Sequence, residues 1–428
     1  MTDSRRAQGR DNLMFWRLWT AQTTSAFGTA VTTVALPLVA VLELDATTFQ
    51  TTLVAAATMC AWLFFGLPAG VLVHRLPLRP VLVATDLIRA FSLLSVPAAV
   101  LLHSLTLTQL VLVAFVLSVA SVIFDVGYST YLPAVVSEDR LTASNSLMQG
   151  SESVSQVAGP ALGGILVQAF GAAYSLIADV VSYFVSAFLL LTIPSPRREV
   201  PEKATTSMVT QIREGLEYVR RDSVIRPSVL TATAFNFTTA AIEALTAVFL
   251  IRTVHTNSAM VGILIGSMGV GGVIGAAITT SLIDRMGTTR TSIIAVVGSP
   301  VFALMLPMTF RGVGLVLFGV GSLGWGACMI MFAIIARTHR QLATPPELFP
   351  RVMATVRFIS WGVLPIGAVI AGVLGEAIGN RASLLIFCLF TLLIPVPFLC
   401  SPLRRTRDLR DFVPSPVSSE SVKSPASR

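Results

Sequence analysis

The chain is a succession of apolar runs of about 20 residues separated by short polar connections, and that pattern leaves few folds open. A helix needs about 20 consecutive, mostly apolar residues to cross the hydrocarbon core of a bilayer. In lipid every backbone amide must find its partner within the protein, so isolated apolar runs span as helices. Such runs lie at 15–42, 50–72, 81–102, 107–129, 143–168, 172–193, 228–251, 258–282, 291–309, 312–336, 352–375 and 381–400. Hydrophobic residues make up 54% of the 428 and charged residues 12%, where a soluble domain carries about 25% charged. Mean hydropathy is +0.78. A soluble enzyme, a secreted disulfide scaffold and a nucleic-acid-binding domain are excluded; the expectation is an all-α membrane protein with twelve spans.

The net charge of +8 matters less than its placement. With the N-terminus inside, all but three of the 30 Lys and Arg fall in or beside inner connections and tails; Arg252, Arg311 and Arg381 are the exceptions. Positive residues stay on the cytoplasmic side of a membrane, so both termini are expected in the cytoplasm and the protein in the plasma (inner) membrane. The first span follows Arg5, Arg6, Arg10 and Arg17 without a convincing cleavage site and reads as an uncleaved signal anchor. Cys60, Cys328, Cys388 and Cys400 all lie in apolar runs without a C-x-x-C pair and read as buried apolar filler.

One segment, 195–227, breaks the rhythm: it holds seven basic residues and no span. Ile212, Leu216 and Val219 recur there at helical spacing between charges, the pattern of an amphipathic helix at the inner membrane surface. The expected organisation is a six-helix bundle over 1–194, this central loop over 195–227, a second six-helix bundle over 228–403, and a Ser- and Pro-rich tail over 404–428 that should be disordered. The halves echo each other. Gly70-x-x-x-His74-Arg75-x-x-x-Arg79 follows the second span, and Asp284-Arg285-x-Gly287-x-x-Arg290 follows the eighth, about half the chain away. Two repeated six-span bundles around a midplane cavity are a transporter architecture.

These residues resemble the major facilitator superfamily. The pattern after spans two and eight is similar to its motif A, whose loops gate the cytoplasmic face. In span five, Gly159, Pro160, Gly163 and Gly164 resemble motif C, the mark of exporters, with Ser146 and Ser155 at places usually held by glycine. FWRLWTAQTTSAFGTAVTTVALPL, YLPAVVSEDRLTASNS and RFISWGVLPIGAVIAGVLGE resemble the twelve-span drug:proton antiporter branch that includes macrolide-efflux-like proteins. The resemblance implies a major facilitator fold and a monomeric exporter of amphiphilic small molecules such as antibiotics, exchanging them for protons without a cofactor. Two places depart from the pattern. The acid of the first motif A is His74, which weakens the cytoplasmic gate or passes its role to Asp86 and Arg89, and span four carries no Arg.

Gly159 and Gly163, Gly262 and Gly266, and Gly271 and Gly275 each put two glycines on one helix face, suited to close packing of spans five and eight. Pro160 should kink span five. Ionisable residues inside spans are the sharper signal, because a charge at the bilayer centre costs about 2.5–3.5 kcal/mol even on insertion scales. Glu152, Asp179 and Glu243 lie well inside spans five, six and seven and are the proton-coupling candidates. Asp179 is the weakest of them, with Tyr174, Ser182 and Tyr183 as ordinary partners. Asp125 and Arg357 sit near inner span ends, as anchors or a gate pair. Gln22, Ser25, Thr29, Thr32 and Thr33 form a polar stripe on span one, matched by Asn236, Thr239, Glu243 and Thr246 on span seven; these are the expected substrate-contacting walls, with Phe235 and Trp361 as apolar contacts.

Catalysis has no support. His74, His103, His255 and His339 have no partner at metal-ligand spacing, and there is no Walker-type G-x-x-x-x-G-K-[ST]. The expected partners are a small-molecule substrate, protons and the bilayer. A dedicated exporter of an endogenous siderophore or secondary metabolite, and a non-transporting sensor or assembly factor on the same scaffold, are the alternatives.

Overall fold

A computed structural model describes residues 2–136, 138–193, 216–220, 222, 225–344 and 349–401. The sequence-predicted amphipathic helix therefore lies mostly outside the described residues, and the C-terminal tail wholly so. Of that helix, residues 216–220 are helical, with Val219 buried against Ile225, Val229, Val352 and Val356, and Leu216 exposed.

The apolar runs form helices: α1 (Thr2–Leu42), α2 (Thr48–Arg75), α3 (Leu78–Leu101), α4 (Leu107–Val135), α5 (Glu138–Phe170), α6 (Ala172–Ser175) and α7 (Ile177–Leu191) make the first half. The second half holds α8 (Ile225–Val248), α9 (Ser258–Met286), α10 (Thr288–Ala303), α11 (Leu315–Ala343), α12 (Phe349–Gly362), α13 (Leu364–Ile378), α14 (Asn380–Phe390) and α15 (Val396–Leu399). Among the described residues nine helical stretches are long and apolar enough to cross a membrane. Helices α2, α5 and α10 pack in the same bundles. The breaks have local causes. Gly171, Gly287 and Gly379 take positive φ where helices turn back on themselves, and the capping box of Thr47 and Gln50 starts α2.

Within the first half α1 packs on α5 and α7, and α4 on α2 and α3; in the second half α11 packs on α9 and α10, and α8 on α13. Apolar cores sit inside each half: Val34, Leu38, Leu93 and Tyr183 in the first, Phe235, Phe249, Trp325 and Phe332 in the second. Two seams join the halves, α5 against α9 and α2 against α13. Small residues make the first seam possible. A Cβ on Gly164 would lie 2.5 Å from the Ser258 carbonyl oxygen and 2.9 Å from the Gly262 backbone.

Among the described residues the hydrogen bonds and the ion pair between halves gather at one end of the molecule. There Arg252 pairs with Asp45 at 2.7 Å, Thr48 Oγ1 donates to Asn380 Oδ1 at 2.8 Å, and the Phe49 amide donates to Glu376 at 3.3 Å. Arg252 lies in a π-helical turn, Phe249–Thr253, that ends α8. At the opposite end Asp125, Glu152 and Arg357 are exposed, and nothing lies within 4 Å of a Cβ placed on Gly150. Among the described residues one end of the seam is thus sealed and the other open.

Candidate functional site

Between the halves, toward the sealed end, lies a cavity of about 450 Å³. Helix α1 contributes Thr29, Thr32 and Thr33 to its wall, α2 Met59 and Trp62, α8 Glu243 and Thr246, and α11 Phe318, Ser322 and Trp325. Glu243 is exposed within this otherwise buried stretch of α8, and no hydrogen bond or ion pair reaches its carboxyl among the described residues. Its neighbours on the wall are Ile242, Ala244 and Thr246. The indole N–H of Trp325 also lacks an acceptor.

Behind the first-half wall sits a buried polar network. Asp179 is fully buried; its carboxyl accepts from Thr32 Oγ1 at 2.5 Å and Ser182 Oγ at 2.9 Å, while Thr29 and Tyr183 share a hydrogen bond of 3.0 Å. Gly28 lets α1 come this close, since a Cβ there would strike Asp179 and Ser182. Deeper in α3, Arg89 and Asp86 form a buried ion pair, and the Arg89 guanidinium lies over the rings of Phe124 at 4.2 Å and Tyr183 at 4.5 Å. Such a pair survives burial because each charge compensates the other and aromatic faces solvate the cation.

The sequence candidates separate on this geometry. Thr29, Thr32, Thr33, Glu243 and Thr246 line the cavity. Gln22, Ser25, Asn236, Thr239 and Trp361 do not. Asn236 donates to the Ser360 carbonyl at 2.7 Å, Thr239 is buried against Met329, and the Gln22 carbonyl is buried without a partner. Phe235, expected as a contact, is a core residue packed on Trp325 and Phe332. Trp361 stacks edge-on against Trp62 at 5.1 Å across the α2–α12 contact, with Arg357 5.6 Å from each ring centroid. Glu152 stands exposed toward the open end, within 3.4 Å of Gln149 Nε2. Of the partners expected for Asp179, Ser182 bonds its carboxyl, whereas Tyr174 is exposed.

The motif residues fall on packing and turns. Gly159 packs on Ala30, Gly163 on the Val31 backbone and Gly164 on Gly262, while the Pro160 carbonyl abuts Gly262. Gly271 and Gly275 face the α11 backbone at Leu323 and Ala327. In the second motif A, Gly287 turns the chain at φ +85° between α9 and α10, and Asp284, Arg285 and Arg290 are exposed. In the first, Arg79 donates to the Leu191 carbonyl, and Gly70, His74 and Arg75 lie on the α2 backbone, their side chains outside the described set. Cys400 and Cys60 are exposed and half-buried, against the expectation that all four cysteines fill the core. Trp62, Met59, Phe318, Ser322 and Trp325 are among the wall residues that sequence reasoning missed. The one available signal was an indole at the middle of span two, far from the interfacial belt where tryptophan is ordinary.

Residues 10–424 match the family described as transmembrane secretion effector. The chain is 21% identical to macrolide efflux protein A of Streptococcus pyogenes over 405 residues, covering 93% of this chain and 97% of that protein. It is 24% identical to the multidrug efflux pump Tap of Mycolicibacterium fortuitum over 274 residues, covering 63% of this chain and 65% of that one. The first curated relatives it matches are aligned over 59% and 64% of their length. Among solved structures it resembles a bacterial homologue of the iron transporter ferroportin in an inward-facing state, with a TM-score of 0.75 and 15% identity over 90% of this chain and 98% of that one.

Proposed function

The chain belongs to the transmembrane secretion effector family of major facilitator transporters, and from that premise we propose that it exports amphiphilic small molecules in exchange for protons by alternating access. It is a multi-pass membrane protein. The observation that carries the reading is Glu243: a carboxyl without a polar partner among the described residues, facing a cavity that both halves build and that is closed at one end. Its carboxyl is exposed to the cavity and, among the described residues, no side chain or backbone group competes for it. Glu243 is therefore free to hold a proton or a bound cation, and exchanging one for the other ties substrate movement to proton movement.

In this reading the chain has twelve spans in two six-helix bundles, 1–194 and 228–403, with both termini in the cytoplasm and the sealed end outside, which makes the state inward-facing. Substrate enters past Asp125, Glu152 and Arg357, reaches Glu243 and displaces its proton. The halves then rock about the α5–α9 and α2–α13 seams, breaking the Arg252–Asp45 and Thr48–Asn380 contacts as the outer end opens. Asp179 is the second protonatable carboxyl, held behind the cavity wall by Thr32. The efflux activities in the names of the streptococcal and mycobacterial relatives support export as the direction. The protein works as a monomer, with no cofactor.

The test is retention of a panel of amphiphilic antibiotics and dyes in cells with and without the protein, each with and without a protonophore. Lower retention that the protonophore abolishes is the expected result. No difference across the panel overturns the reading of drug export.

A further inference from the structure

Two arginine side chains are buried among the described residues, Arg89 and Arg340, 3% and 8% exposed. Arg89 is accounted for by Asp86 and by the rings of Phe124 and Tyr183. Arginines with more access to the surface have partners too: Arg252 pairs with Asp45, Arg381 donates to the Thr309 carbonyl, and Arg357 lies against two indoles. Arg340 is the exception. Its Nε and Nη1 are buried without an acceptor, and among the described residues no carboxylate pairs with it and no aromatic face covers it. The charge that bears on it there is that of a second cation, Arg337, one turn earlier. A guanidinium carries five N–H donors and keeps its charge, and donors buried without acceptors are costly. The missing acceptor points to a ligand.

The surroundings say what kind. Arg337 and Arg340 lie in the last two turns of α11, where the carbonyl end of the helix favours cations. His339 beside them is 4% exposed, and neither of its ring nitrogens has a hydrogen-bond partner. The carboxylate that bears on His339, Asp222, is engaged in accepting from the Ile225 amide at 2.7 Å at the start of α8. Arg337 and Gln341 are exposed, so the cluster reaches the surface beside them. Depth narrows the choice. The apolar stretch that ends here, Gly312–Gln341, has 30 residues and rises about 45 Å at 1.5 Å per residue. A bilayer with its headgroup regions is about 40–45 Å thick. Arg340 therefore sits at headgroup level, where phosphate is the abundant anion, and its planar fork matches two phosphate oxygens.

We propose that the last turn of α11 is a phosphate-binding site, in which Arg340 grips two oxygens of a phosphate group, Arg337 flanks it and His339 is a further donor. The phosphate belongs to an anionic lipid headgroup or to a soluble phosphate. Basic pockets between spans are suited to anionic headgroups, and the depth of Arg340 favours that source.

Thermal unfolding of the purified full chain in a neutral detergent tests this. Phosphatidylglycerol is titrated in one arm and inorganic phosphate in the other, the latter against sodium chloride at matched ionic strength. A ligand that binds the folded form raises the midpoint with its concentration. The wild type should show this rise with phosphatidylglycerol, and Arg340→Met should need at least about tenfold more lipid for the same rise, in keeping with loss of a charged donor. Arg226→Gln, which removes an exposed charge at the start of α8, should titrate as the wild type does, and so separates the site from general attraction between lipid and a basic protein. A rise with inorganic phosphate that Arg340→Met loses assigns the site to soluble phosphate. Without ligand Arg340→Met should unfold no lower than the wild type, because it breaks no contact within the protein. Arg340→Lys keeps the charge and loses the fork; it should need several-fold more lipid, and it decides the matter if Arg340→Met does not fold. No response of the wild type to either probe, or wild-type titration curves for Arg340→Met or, failing that variant, for Arg340→Lys, overturns the proposal.

Discussion

Replacing Gly164 with alanine places one methyl group in the seam that joins the halves at their sealed end. The new Cβ would lie 2.5 Å from the Ser258 carbonyl oxygen and 2.9 Å from both the nitrogen and the Cα of Gly262, where ordinary contact begins at 3.4 Å. The clashing atoms are all backbone, so no side chain can rotate away and α5 and α9 must move apart. Overpacking of this kind costs about 1–3 kcal/mol. That cost applies to the sealed state and is relieved when the outer end opens. A bias of 1–3 kcal/mol is a shift of about 5–150-fold in a two-state equilibrium. The readout is a pair of spin labels at His103→Cys and Arg311→Cys, on opposite halves at the sealed end, in a background with Cys60, Cys328, Cys388 and Cys400 replaced by alanine. The parent should show one short distance, and Gly164→Ala should add or convert to a longer one. Gly150→Ala, whose methyl meets nothing within 4 Å, should leave the distribution unchanged. Coincident distributions in the parent and a folded Gly164→Ala protein would refute the argument that this seam holds the sealed end shut.

Two further outcomes follow from the charges. Arg89→Met leaves Asp86 buried without its cation and should lower stability by about 3–5 kcal/mol; Asp86→Leu combined with Arg89→Met should recover most of the loss, read as thermal unfolding in detergent. The Arg252–Asp45 pair is different, because the Asp45 side chain is 98% exposed. Either Arg252→Gln or Asp45→Asn should change stability by less than about 1 kcal/mol, and the spin-label distances should stay as in the parent.

Some of this was legible in the sequence because it is written in single residues. Apolar runs give helices in lipid whatever they pack against, and Glu243 announces itself as a charge in the middle of a span. The glycines of spans five and eight likewise declared a close approach, and they meet at Gly164 and Gly262. What the sequence hid depends on which helix faces meet. Thr32 and Asp179 are 147 residues apart, and nothing local says that α1 and α7 join there. Asp86 and Arg89 looked like stand-ins for a gate acid, yet they form a buried pair under Phe124 and Tyr183. Phe235 and Trp62 are both aromatic residues in spans; one is core and the other lines the cavity, a distinction set by helix rotation that residue type does not encode. Asn236 and Thr239 share the polar face of α8 with Glu243, but the open space begins nearer the sealed end, so only Glu243 and Thr246 reach it.

The central claim is that proton movement and substrate movement meet at Glu243, and proteoliposomes with an acidic interior test it most directly. Wild-type protein should accumulate ethidium inside when the pH gradient is imposed and cease when a protonophore collapses it. Glu243→Gln, reconstituted to the same density, should accumulate none above protein-free vesicles. Gradient-driven accumulation by Glu243→Gln at the wild-type rate would contradict the account.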